Sequence, residues 1–271
     1  MAIPPRVQAV VDDYLGLVDA DAPGLVQGLY LVGSVALDDF RPHASDIDFV
    51  AVTDNPLSPD DISAFRRVHT AMAARHRRPY FDGGYVTWRD LTGNPALAGP
   101  GADAHEGRLN PRSAGRCDPV TWHTLADHGV TVFGPPCEDV PVWTDREALA
   151  AWTHQNLDDY WRPWLRRSSR LWSRPGLACV HSWGPAWGVL GVSRLHYTLA
   201  TGAITSKYGA GLYARNVFQP RWRRIVDECL RLRRGNTGQP DGKPGYRTPL
   251  HRRRDALDFV SMAIDEAHRI S

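Results

Sequence analysis

Two acids on one side of a buried strand constrain this chain more than anything else in it. In the run Asp46, Ile47, Asp48, Phe49, strict alternation puts both carboxylates on one strand face and both apolar side chains on the other. Carboxylates roughly 6 to 7 Å apart along a strand repel each other unless a positive charge lies between them. A hard divalent cation such as Mg²⁺ meets that need, because it prefers carboxylate oxygens. Upstream, the apolar run Leu29 to Val32 enters a Gly33-Ser34 turn, and eleven residues separate Ser34 from Asp46. A small turn of this kind leaves backbone N–H groups and a hydroxyl to hold phosphate oxygens. The two features together describe a site for a metal-bound nucleoside triphosphate. A solvated surface turn would need no such apolar flanks.

The pattern Gly-Ser, eleven residues, Asp-x-Asp between two strands resembles the signature of the nucleotidyltransferase superfamily that includes polymerase beta. The resemblance implies a third carboxylate on the next strand of the sheet. In Tyr80 to Trp88, the plausible third strand, Asp82 is the acid that can fill that position. With three carboxylates converging, Asp46, Asp48 and Asp82 would hold Mg²⁺, and Asp82 would also take a proton from an attacking hydroxyl. Gly33, Ser34 and Ser45 would contact the triphosphate of ATP.

At 271 residues the chain is long enough for two domains with separate cores. Thirty-two basic and thirty acidic side chains nearly cancel, so no global field calls for a polyanionic partner. The arginines from Arg221 to Arg234 and from Arg252 to Arg254 decorate amphipathic helices without an aromatic platform, and read as a solvated or partner-facing surface rather than a nucleic-acid site. Cys117, Cys137, Cys179 and Cys229 show neither metal-ligand spacing nor a disulfide framework. The first residues lack a basic segment followed by an apolar core, and no run approaches a membrane span. The expectation is a soluble, cytoplasmic monomer that touches no membrane.

Along the chain, Val7 to Val18 reads as a packing helix, Gln27 to Val32 and Ile47 to Thr53 as strands, and Pro59 to Arg78 as a helix whose basic end suits its dipole. Residues 89–118, rich in Gly, Pro, Asn and Ala, read as one long loop. A short helix and a final strand follow, up to Gly134. From Thr144 onward the pattern is helical: 145–172, 187–201, 206–215, 220–234 and 250–270, with the longest joint from Gly235 to Gly245. The spacing of the tryptophans from Trp152 to Trp172 is broadly helical and marks most of them as core. Trp183 and Trp187, beside a Gly-Pro joint, remain pocket candidates.

The expected class is therefore α+β: a polymerase-beta-like nucleotidyltransferase domain, mixed sheet with helices, over residues 1–140, and an all-α domain over 141–271 that closes the nucleotide and acceptor cleft. The segment Val189 to Lys207, with Thr124 to Pro135, looks like the aminoglycoside (3″)(9) adenylyltransferases, which modify streptomycin and spectinomycin. That resemblance implies ATP as co-substrate and triphosphate contacts from Arg194 and Lys207. It also implies drug-binding acids where this chain has Gly184 and Val180, and a tryptophan after the third carboxylate that it lacks, with Asp103, Glu106, Asp158 and Asp159 as available replacements. The reading is transfer of AMP to a hydroxyl of an aminoglycoside or aminocyclitol. The alternatives are a different acceptor (a metabolite, another antibiotic or a protein), an RNA-modifying transferase, or a nucleotide-binding regulator without transfer.

Overall fold

The computed structural model describes residues 3–115, 117–235 and 245–270, so most of the joint expected at Gly235 to Gly245 lies outside the described residues. The chain divides into two compact units, Met1–Asp145 and Arg146–Ser271.

In the first unit the elements run α1 (Pro5–Asp21), β1 (Gly28–Leu31), α2 (Gly33–Ala36), β2 (Ile47–Thr53), α3 (Pro59–Arg75), β3 (Phe81–Thr87), α4 (Trp88–Leu91), β4 (Gly101–His105), β5 (Arg108–Ser113), α5 (Pro119–His128) and β6 (Val130–Phe133). They form one mixed sheet in the order β5-β4-β3-β2-β1-β6. Among the described residues only β2 and β3 run parallel, because α3 carries the chain back across the sheet between them.

The period of two along β2 sorts its side chains between two cores. Ile47, Phe49 and Ala51 enter a cluster with Val7, Val11 and Tyr14 of α1 and Phe65 and Val68 of α3. Val50 and Val52, on the face that Asp48 shares, pack with Val86, Trp122 and Leu125. The helices follow from their sequence: Val7, Val10, Val11, Tyr14 and Val18 keep one buried stripe on α1. At α3, Ser58 and Asp61 form a reciprocal capping box ahead of Pro59.

Residues 89–118 depart from the expected loop. They contain α4 and a β4–β5 hairpin that completes the sheet edge. Segments such as GADAH and RLNPRS carry almost no β-branched residues, and Pro111 is tolerated there because β5 is an edge strand.

Among the described residues the second unit is built of helices without strands: α6 (Arg146–Asn156), α7 (Arg162–Ser169), α8 (Arg174–Ala178), α9 (Trp183–Thr201), α10 (Lys207–Val217), α11 (Arg223–Arg233) and α12 (Pro249–Ala267). The single helix expected over 145–172 is interrupted by a π-helical turn, Leu157–Trp161, just before Pro163. Helix α9 starts four residues earlier than expected, with Pro185 tolerated in its first turn. It forms the middle of a core that includes Val189, Val192, Ile225, Phe259 and Ile264. Trp161 packs so closely on it that a Cβ at Gly191 would lie 2.2 Å from the indole, which makes this tryptophan a core residue. In α11, Glu228 is fully buried and holds Arg231 through two bonds of 2.8 and 2.9 Å. Arg252 of α12 at 3.4 Å and the Gly245 N–H at 3.0 Å complete its partners.

Candidate active site

The parallel pairing of β2 with β3 brings the acids together. In its register Asp48 stands directly opposite Asp82, near the start of both strands. Asp82 is buried, and burial is the main reason its carboxyl is pushed up to about 7; the charges of Asp46 and Asp48 push the same way, while His105 and the Glu106 N–H oppose them. Two consecutive residues of the β4–β5 turn supply that opposition. The Glu106 N–H donates to Asp82 Oδ1 at 2.9 Å, and His105 Nδ1 lies 3.2 Å from Oδ2. Glu106 (φ +49°) and Gly107 (φ +75°) both adopt left-handed backbone, as a tight two-residue hairpin turn requires.

Asp46 immediately precedes β2, and its Oδ1 lies 3.4 Å from Arg78 Nη1. Its neighbours Arg75 and His76 both pair with Asp13, while Arg78 reaches the acidic site rather than only decorating a helix end.

Gly33 opens α2 with φ +58° beside the Asp48 carboxylate, and the Val32 N–H donates to the Asp48 carbonyl at 2.9 Å. The Ser34 hydroxyl lies 3.5 Å from the Asp46 carbonyl. Ser45 is buried, and its hydroxyl accepts the Arg41 N–H at 3.0 Å, closing the turn before β2. Gly33, Ser34, Asp46, Asp48 and Asp82 thus lie around one end of β2 and β3. Arg194 is half-buried on α9, and Lys207 begins α10 after the Ser206 cap, both in the helical unit.

A pocket of about 210 Å³ opens over this end of the sheet, lined by Asp48, Asp82, Gly84, Asp103, His105 and Thr121 among others. Asp103 pairs in register with Gly84 on the neighbouring strand, two residues along from Asp82. A larger cavity of about 870 Å³ lies by Thr53 and Thr87, at the opposite ends of the same strands, and none of the three acids lines it. Of the other acids named from sequence, Asp158 is engaged by Arg162 at 2.7 Å and His268 at 3.1 Å, and Asp159 by Gln155 at 3.1 Å. Glu106 contributes its backbone to the site.

The donor chemistry fits a hard dication. Asp46 and Asp48 are oxygen donors on one side of β2, and burial together with their charges disfavours ionisation of Asp82, a penalty a cation would relieve. Among the described residues no three such side chains close on a single point. Arg78 draws on Asp46, and the hairpin turn holds both oxygens of Asp82.

Residues 16–76 match the family described as nucleotidyltransferase domain, and residues 174–244 match the aminoglycoside adenylyltransferase C-terminal domain. Among solved structures, the chain is similar to the spectinomycin adenyltransferase AAD(9) from Enterococcus faecialis, crystallised with ATP and spectinomycin. Identity is 12%, with a TM-score of 0.61 over 95% of this chain and 99% of that one, a likeness of fold. No curated protein matches the chain. Among the described residues no helix is long and apolar enough to cross a membrane. The chain thus carries, in order, a nucleotidyltransferase domain and a domain of the aminoglycoside adenylyltransferase C-terminal kind.

Proposed function

We propose that this enzyme transfers AMP from ATP to a hydroxyl of a small acceptor, with aminocyclitols and aminoglycosides of the spectinomycin and streptomycin kind as the first candidates. One observation carries the reading: a buried carboxylate, Asp82, facing Asp48 across a parallel strand pair, with Gly33 packed on Asp48 and the Ser34 hydroxyl near the Asp46 carbonyl. ATP and spectinomycin are the ligands of the structurally similar adenyltransferase, which supports the same pairing here.

In this reading Asp46 and Asp48 hold Mg²⁺ and Asp82 assists. The metal would supply neutralisation of the phosphate charge and of the leaving oxygen. Asp82, poised by burial near neutrality, accepts the proton of the acceptor hydroxyl at a carboxylate oxygen oriented by His105 and the Glu106 N–H. The hydroxyl oxygen bonds to the α-phosphorus as the bond to the bridging oxygen breaks, and pyrophosphate leaves. Gly33, Ser34 and Ser45 hold phosphate oxygens. By motif position, residues 141–271 contribute Arg194 and Lys207 as further triphosphate ligands, where positioning and charge neutralisation do most of the work.

A second reading keeps the donor chemistry and changes the acceptor. It is favoured by Gly184, where a Cβ would lie 2.5 Å from the Ala178 carbonyl oxygen, so no acidic side chain fits that position. Asp158 and Asp159, which could replace the missing acids, are already engaged. The test is pyrophosphate release from ATP and Mg²⁺ with spectinomycin or streptomycin, in wild type and Asp46→Ala. Release confined to the wild type supports the first reading. Release only with other hydroxyl compounds supports the second, and ATP binding without release from any of them points to a regulator.

A further inference from the structure

The β4 strand places one more acid on the sheet face that carries the site. Ala102 and Ala104 turn into the core with Phe49 and Phe81, so Asp103 and His105, which alternate with them, turn to the face of Asp48 and Asp82. Strand pairing fixes how far apart these groups stand. Gly84 lies opposite Asp103, and Asp82 is two residues before Gly84 on the same face, which makes Asp82 and Asp103 diagonal neighbours on adjacent strands. Gly84 adds no side chain between them, and the pocket of about 210 Å³ opens there, with Thr121 in its lining.

The acids of this face differ in what answers their charge. Arg78 Nη1 lies 3.4 Å from Asp46, and His105 Nδ1 lies 3.2 Å from Asp82. Among the described residues no basic side chain pairs with Asp103. A half-buried carboxylate in that position, with Asp48 and Asp82 lining the same pocket, deepens the local negative potential. The pocket therefore selects by charge: an ammonium group is drawn to Asp103, and an anion is turned away.

Size and spacing narrow the class of ligand. A volume of about 210 Å³ is below what a whole drug-sized molecule fills, so the pocket takes one ring of an acceptor. Diagonal neighbours in a sheet are about 7–8 Å apart, a gap that two hydrogen bonds of about 2.8 Å span when the bonded nitrogen and oxygen sit on adjacent carbons. We propose that Asp103 is a specificity-determining residue of this site: it holds an ammonium group on the carbon next to the reacting hydroxyl, so the acceptor is a cyclic vicinal amino alcohol. This rests on the reading above in that Asp82 takes the proton of that hydroxyl. Neutral polyols of the same shape are rejected.

The experiment is calorimetric titration of the full chain with streptamine, a diamino cyclitol, and with scyllo-inositol, the neutral ring in which hydroxyls replace its amines. Saturable binding of streptamine is expected, with scyllo-inositol at least about tenfold weaker. Asp103→Asn keeps the shape of the side chain, which thermal unfolding checks. It should lower streptamine affinity about tenfold, the loss of one charge-assisted hydrogen bond, and so close the gap between the two cyclitols. Asp103→Glu should restore part of that loss. Asp19→Asn, at an exposed acid of α1, should change neither affinity, which separates the effect from net charge. The titration contains neither ATP nor Mg²⁺, so a failure of transfer, read by pyrophosphate release, and a failure of Asp103 to hold the amine are told apart. No saturable binding of streptamine, equal affinity of the wild type for both cyclitols, or unchanged streptamine binding in Asp103→Asn overturns the proposal.

Discussion

Gly33 and Asp48 are packed against each other so closely that a Cβ on residue 33 would lie 2.0 Å from the Asp48 Oδ2 and 2.7 Å from its Cγ. The contact ties the turn proposed to hold phosphate to the acid proposed to hold the metal, and it explains why the turn begins with glycine. Gly33→Ala therefore displaces the Asp48 carboxylate and also places alanine at φ +58°, which costs about 1–2 kcal/mol. Transfer activity should fall at least about a hundredfold, the loss typical of a misplaced reacting group. A modest fall in melting temperature should accompany it, measured by pyrophosphate release and thermal unfolding of the same preparation.

Asp82 yields a prediction about protons. Burial, with help from the charges of Asp46 and Asp48, holds this carboxyl near 7, so at pH 6.5 it is mostly protonated without metal. A dication favours the ionised form and lowers that value. Adding Mg²⁺ and ATP at pH 6.5 should release a proton that is missing in Asp82→Asn, as read by a pH indicator in weak buffer. Equal release from both proteins would count against Asp82 as a group near the metal.

His69 links acidity to stability. Its Nε2 bonds the Tyr85 hydroxyl at 2.8 Å deep in the first core, and burial pulls its value from the usual 6.5 down to about 4. Between those values the unfolded imidazole is protonated and the folded one is neutral, so the unfolded state binds more protons. The His69 contribution should therefore hold above pH 6.5 and fall as pH drops toward 4, by on the order of 1 kcal/mol per pH unit, while the raised Asp82 carboxyl acts in the opposite sense over the same range. Urea unfolding of wild type and His69→Gln at pH 7 and pH 5 isolates the histidine contribution: the variant should lose less stability, or gain more, on acidification than the wild type.

The buried Glu228 gives a prediction for the helical unit. Hydrogen bonds from Arg231, Arg252 and Gly245 outweigh its desolvation and lower its carboxyl value. Glu228→Leu removes the acid but strands two guanidinium groups, and should cost about 3–5 kcal/mol in chemical denaturation. Restoring much of that loss with a second change, Arg231→Met, would confirm that stranded charge is the cause.

Much of the sheet was legible because β1, β2 and β3 obey simple alternation and carry their own turn signals. The fold class and the order of sheet and helices follow from that. The β4–β5 hairpin was not legible, since Gly, Ala, Asn and Pro dominate it; its one local signal was Gly107, which accepts left-handed backbone, while Glu106 before it adopts that conformation without a sequence signal. From sequence Asp103 reads only as a replacement acid, and the contacts of His105 and Arg78 with Asp82 and Asp46 are not legible, since each reaches its acid through a turn that linear spacing does not encode. The π-turn at Leu157–Trp161 was hidden because its apolar spacing passes for ordinary helix.

Side-by-side alignment of β2 and β3 also fixes when the chemistry can begin during folding. A hairpin would unite neighbouring acids early, whereas a parallel pair must wait for α3 to bring a distant segment home. A slip of one residue would send Asp82 through the sheet into the layer occupied by Phe49 and Tyr14. A nascent or partly unfolded chain thus holds its acids apart, and Asp48 comes to stand opposite Asp82 only with the finished sheet.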